Sequence, residues 1–260
     1  QEDSLEVVLE NRKDADGNPK GCYFRIRGKT QPFIDGTKLQ VTLQAHGRSR
    51  EFLVKIKRAV VKNRTYEVSH PWPARVFAPL LYEVKVELNV RKQAKNVQQW
   101  IMTEYGYALT HQEILDRKRF AFGGEEKRAA FALANIEKIM SFVGSLETLR
   151  QEVADSAAKP AAEVAEWPDL QKSLNTGIIR FREELDRYFR RYVVLLEQGF
   201  YARFKRINSL LARIISDHGR GKEGTAIRLD RLSQELVATQ ALIREHAPAT
   251  HEDALIPDDE

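Results

Sequence analysis

Between Pro168 and His218 the chain carries an apolar stripe that an isolated helix would leave in water. Leu174, Ile178, Phe181, Leu185, Tyr188, Tyr192 and Leu195 recur at alternating steps of four and three, and Phe200, Phe204, Ile207, Leu211 and Ile214 continue the run. That alternation is the heptad spacing of a helix–helix seam. Read as one helix of about 50 residues, the stretch spans about 75 Å at ~1.5 Å per residue. Such a stripe demands partner helices, and the flanking sequence supplies two. From Glu125 to about Ser156, Ala132, Ile136, Ile139, Val143, Leu146 and Val153 fall near one face. Glu125 and Glu126 occupy the first turn, where the helix dipole favours negative charge. Thr225–His246 carries Leu229, Leu232, Leu236 and Ile243, and Pro248 ends it. The Gly219–Gly224 turn is too rich in glycine to remain helical. Residues 125–247 therefore read as an antiparallel three-helix bundle with a very long central helix. The central helix outruns its neighbours, so self-association is one expected way of covering the surplus.

Residues 1–95 follow a different period. Leu39, Val41, Leu43 and Ala45 alternate with Lys38, Gln40, Thr42 and Gln44, and Tyr82, Val84, Val86, Leu88 and Val90 alternate with Glu83, Lys85, Glu87 and Asn89. Leu5, Val7 and Leu9, then Cys22, Phe24 and Ile26, Phe52, Val54 and Ile56, and a short strand at Tyr66 and Val68 repeat the pattern. Alternation means one face buried and one wet. Turn signals separate the strands at Asp14–Pro19, Asp35-Gly36 and His46–Ser49. Six or seven such strands predict an antiparallel β-sandwich that resembles immunoglobulin-type modules in pattern, without their Cys…Trp…Cys framework. The fold class is thus α+β and multi-domain. Residues 96–124 read as an aromatic connector with short helices. One helix runs Asn96–Tyr105, and another runs from the Thr110-His111-Gln112-Glu113 capping box to Arg119. Residues 248–260 read as an acidic disordered tail. No run of 18 apolar residues exists, so no membrane span is expected.

The sequence offers little recognisable catalytic chemistry. With Cys22 as the single cysteine, neither an intrachain disulfide nor a cysteine zinc site can form. The six histidines include no pair at i, i+4 and no HExxH. Asp14–Asn18 clusters oxygens, but the calcium-loop pattern fails with Gly17 in fourth place and Arg25 in twelfth, so a hairpin turn is expected. Gly219–Thr225 lacks the Walker spacing, and no G-x-S-x-G occurs. No cofactor or metal is expected. Net charge is +5, divided as +8 in residues 1–95 and −3 in the remainder. The basic β region suits an anionic polymer or membrane surface. The long stripe interleaves arginine with rings at Arg187-Tyr188-Phe189-Arg190-Arg191-Tyr192, but its tyrosines fall on the core stripe, so nucleic acid is not the expected partner.

The expected function is that of a non-enzymatic binding or structural protein. The β region would recognise a partner protein and the bundle would serve spacing or assembly. Binding of an anionic polymer or membrane surface, and an enzyme with a site between the two halves, are the alternatives. Candidate partner-binding residues are Tyr105, Tyr107, Phe120, Phe122, Arg187, Arg190 and Arg191. The β pattern and the start at Gln1 favour an exported protein over a cytoplasmic one.

Overall fold

The structure, a computed structural model, describes residues 5–46, 52–164, 166–195 and 198–246. The acidic tail and the tip of the turn after His46 lie outside them. The described residues form β1 (Glu6–Lys13), β2 (Pro19–Lys29), β3 (Lys38–His46), β4 (Phe52–Val60), β5 (Thr65–Trp72), β6 (Leu81–Asn89), α1 (Lys95–Tyr105), β7 (Gln112–Ala121), α2 (Glu125–Ser156), α3 (Trp167–Arg191), α4 (Gln198–Gly219) and α5 (Thr225–His246). The class is mixed α+β, as the two periodicities predict. Two compact units result: residues 5–128 with 191–195, and residues 129–190 with 198–246.

In the first unit every strand pair is antiparallel, and the orders are β1-β2-β5 and β4-β3-β6-β7. Alternation places Phe24 and Ile26 of β2, Leu39, Val41 and Leu43 of β3, and Val84 and Val86 of β6 in the core. Side chains also reach from one sheet to the other. Tyr66 of β5 donates its hydroxyl to Asp116 of β7 at 3.2 Å, and Cys22 of β2 neighbours Tyr82 of β6. Gly28, the cross-strand partner of Tyr66, is glycine for a steric reason: a Cβ there would collide with the Tyr66 ring. Two amide side chains take the place of strands by clamping backbone. Asn11 donates to the Phe77 carbonyl at 2.9 Å and accepts from the Phe77 N–H at 2.8 Å. Gln93 does the same to Lys38, at 2.7 Å in each direction. Between β4 and β5 the turn residues Asn63 and Arg64 adopt φ of 51° and 58°. This is the left-handed pair of a two-residue hairpin, a conformation that arginine rarely takes. At Asp14 the side chain caps its own loop, accepting from the Asp16 and Asn18 amides at 3.0 and 2.8 Å, while Gly17 supplies φ of 83°.

Two expectations are corrected. The stretch from the Thr110 capping box to Arg119 is a strand, β7, not a helix. It pairs along the whole of β6, and this ladder outweighs the local capping signal. The stripe from Pro168 to His218 is two helices, not one. After Arg191 the chain runs extended, with Val193 and Val194 buried. The Val76 N–H donates to the Arg191 carbonyl at 2.8 Å, and the Val193 N–H donates to the Val76 carbonyl at 3.0 Å. Adjacent β-branched residues lower helix propensity, and this exchange of backbone bonds gives them an extended alternative. Splitting the helix also removes the surplus length from which self-association was expected. The longest helix is α2, at 32 residues.

The second unit closes on heptad seams. On α2 the buried positions include Asn135, Ile139, Phe142, Val143, Leu146, Leu149 and Val153, and on α5 they are Thr225, Leu229, Leu232, Leu236, Thr239 and Ile243. Phe142 is the hub. Its ring meets Phe181 at 5.9 Å, Tyr188 at 5.7 Å, Phe189 at 6.2 Å and Phe204 at 6.0 Å, which joins α2, α3 and α4. Asn135 accepts from the Tyr188 hydroxyl, so the one amide on this seam is satisfied from α3. On α3 it is Phe189, not Tyr188, that is fully buried; Tyr188 is half-buried. The α4–α5 turn is tied by Asp217, which pairs with Lys222 and Arg228 at 2.8 and 2.7 Å. By length and composition α2 is the one described helix able to cross a membrane, with mean hydropathy 1.3, but its seam is occupied by rings from α3 and α4.

Candidate binding surface

α1 ends where Gly106 turns left-handed, at φ of 66°. This C-terminal cap swings the chain back toward β7 and gathers rings that are scattered in sequence. Tyr105 lies 5.1 Å from Phe33, 5.6 Å from Trp100 and 5.5 Å from Tyr107. Tyr107 in turn stacks on His111 at 3.8 Å, with 22° between the ring planes. Phe33 is buried and roots the file, while Trp100, Tyr105, Tyr107 and His111 are half-buried. Exposed Met102 and Leu109 lie in the same segment.

Polar contacts fix the file in place. The Tyr107 hydroxyl donates to Glu113 at 2.8 Å, and His111 Nε2 lies 3.4 Å from the same carboxylate oxygen. This hydrogen bond is the largest of the influences that keep the Tyr107 hydroxyl protonated above its ordinary range, and partial burial adds to it. Tyr105 is raised as well, chiefly by burial and then by Glu104, while the Arg64 charge opposes the shift. Arg64 belongs to the strained β4–β5 hairpin. That turn therefore delivers a cation to the end of the unit where the rings collect.

The other candidate residues are placed differently. Phe120 stacks on Tyr82 at 6.0 Å, and Phe122 lies edge-on to Phe77 at 5.8 Å, so both extend the β unit's ring core. Arg187 is exposed on α3. Arg190 pairs with Asp186 at 3.3 Å, and Tyr201 donates to the same Asp186 at 2.6 Å. Arg191 lies over the Tyr192 ring at 5.7 Å. Arg190 and Arg191 thus have partners at or next to this helix end. Phe33, Arg64 and His111 join the site without a sequence signal, because a helix cap and a hairpin, not sequence spacing, bring them to Tyr105 and Tyr107. Cys22 is buried, and burial pushes its thiol up to about 12, which suits a packed side chain and not a nucleophile. Among the described residues no three His, Cys, Asp or Glu side chains converge as a metal site.

No family model matches this chain, and no curated protein matches it either.

Proposed function

We propose that this is a non-enzymatic binding protein whose β unit recognises a partner protein through the file Trp100–Tyr105–Tyr107–His111, with the helical unit serving spacing or assembly. The observation that carries the reading is the continuity of these half-buried rings beside exposed Met102 and Leu109 and the Arg64 hairpin. Trp, Tyr, Met and Arg are the residue types enriched at the centres of protein interfaces, where a few anchors carry most of the binding energy. The rings are also held before any partner arrives, which reduces the ordering cost of binding. The expected partner presents apolar anchors flanked by acidic groups, to meet the rings and Arg64. The strand orders β1-β2-β5 and β4-β3-β6-β7, with side chains reaching between the sheets, support reading the β unit as an immunoglobulin-like sandwich with α1 inserted before its last strand.

The test is a photo-crosslinking residue at Leu109, activated in an extract of the source cells, with the same residue at exposed Ile179 of α3 as control. The reading expects one discrete heterologous adduct from Leu109 that Tyr105→Ala abolishes. An adduct from Ile179 alone, one indifferent to Tyr105→Ala, or one between two copies of this chain would overturn it.

A further inference from the structure

Of the eight asparagines in the chain, Asn63 alone has a hydroxyl residue two positions on, in Asn63-Arg64-Thr65. Asparagine, any residue but proline, then serine or threonine is the acceptor tripeptide for oligosaccharide transfer to the asparagine amide. The fold puts this tripeptide at the tip of the β4–β5 hairpin, where Lys62, Asn63 and Arg64 are exposed. Asn63 takes the left-handed conformation there, which asparagine tolerates better than most residues. The turn closes without the Asn63 side chain. The Lys62 N–H donates to the Thr65 carbonyl at 2.8 Å, and the Thr65 N–H donates back to the Lys62 carbonyl at 3.0 Å. The Thr65 hydroxyl adds a bond to the same Lys62 carbonyl at 2.8 Å. The Asn63 N–H donates to Asp35 at 2.8 Å, and the Arg64 carbonyl accepts from the Thr30 N–H at 3.0 Å. None of these bonds uses the Asn63 carboxamide.

We propose that Asn63 is a glycosylation site, which takes an oligosaccharide from a lipid-linked pyrophosphate donor. Asn63 Nδ2 bonds to the anomeric carbon of the first sugar, and the bond from that carbon to the pyrophosphate oxygen breaks. The proton that Nδ2 gives up ends on the departing pyrophosphate, so no oxidant or reductant is required. The folded hairpin accommodates the product because the linkage lies outside the turn, on an amide that has no hydrogen bond to lose. Other asparagines show the contrast. Asn11 clamps Phe77 with both ends of its amide, and Asn135 accepts from the Tyr188 hydroxyl. The position also sets a hydrophilic group beside Arg64, whose charge acts on Tyr105 at the end of the β unit where the rings collect. The inference rests on the expectation that the chain is exported, not on the partner-protein reading.

The test is the intact mass of the full chain purified from its source cells, before and after an amidase that releases asparagine-linked oligosaccharide. The wild-type chain is expected to exceed the Asn63→Asp variant by the mass of an oligosaccharide, and the amidase is expected to remove that excess and leave an aspartate in place of Asn63. Aspartate also tolerates the left-handed turn, so Asn63→Asp removes the acceptor amide without forbidding the hairpin. Thr65→Ala should abolish the modification as well. Thr65→Ser should retain it, because serine keeps both the hydroxyl of the acceptor tripeptide and a donor for the Lys62 carbonyl. Asn96→Asp, at an exposed asparagine followed two positions on by Gln98, should leave the excess mass unchanged. Tyr105→Ala should also leave it unchanged while abolishing the Leu109 crosslink, so this inference and the partner-protein reading fail separately. The proposal is overturned by a wild-type chain that shows no excess over Asn63→Asp, or by excess mass that persists in Asn63→Asp or in Thr65→Ala.

Discussion

Two ring clusters of similar composition serve opposite ends in this molecule. Around Phe142 the rings come from three helices and, Tyr188 apart, are almost wholly removed from water. Around Tyr105 they come from a helix end and the loops beside it, and only Phe33 is fully buried. The difference lies not in ring chemistry but in where each ring falls on its element. A ring on a seam becomes core, and a ring past a cap stays at the surface. The second cluster is held by polar atoms, through the Tyr107–Glu113–His111 contacts, where the first is held by packing.

The contrast is most exposed to failure at its largest effect. Phe142→Ala should destabilise the helical unit by about 3–5 kcal/mol, since it removes a fully buried ring and leaves a cavity among four others. The loss should be read in chemical denaturation followed by helical circular dichroism, and a cost near that of a surface change would break the comparison. Asn135→Ala comes next, at about 1–3 kcal/mol, because the half-buried Tyr188 hydroxyl loses its acceptor. Tyr105→Ala should cost the β unit less than about 1 kcal/mol in the same denaturation while abolishing the Leu109 crosslink. The smallest effect concerns pH. The folded Tyr107 hydroxyl titrates above its unfolded value of 10.0, so its stabilisation is complete below that pH and is lost as pH rises through the higher folded value. Glu113→Gln should shift the Tyr107 ultraviolet titration toward the ordinary range and flatten this alkaline loss. An unchanged titration would mean that Glu113 does not hold the ring.

Much of this was legible in the sequence. α2 and α5 carry seams and terminal signals that agree, and both run where the sequence places them. β7 was not legible. Its inward positions Asp116 and Lys118 are polar and reach Tyr66 and the Leu5 carbonyl, so no apolar alternation marks the strand. The break after Arg191 was hidden for the opposite reason. The heptad steps run on through Tyr192 and Leu195, and only pairing with distant Val76 turns the segment away from helix. At the candidate surface Tyr105 and Tyr107 stood out as residues, whereas Arg64 and Phe33 reach them through tertiary structure alone. The contacts of Gln44 and Arg117 with Glu83 were equally silent, because cross-strand register, not sequence spacing, assembles them.

The Val76–Val193 pairing has a consequence for how the protein is made. The β unit's own strands are complete by Ala121, yet the segment that bonds to both sides of Val76 is translated some seventy residues later, after α2 and α3. A nascent chain halted before Arg191 would carry every strand of the β unit and still have Val76 without its two backbone partners. The β unit, the earlier of the two in chain order, is therefore finished only after α2 and α3 have been made.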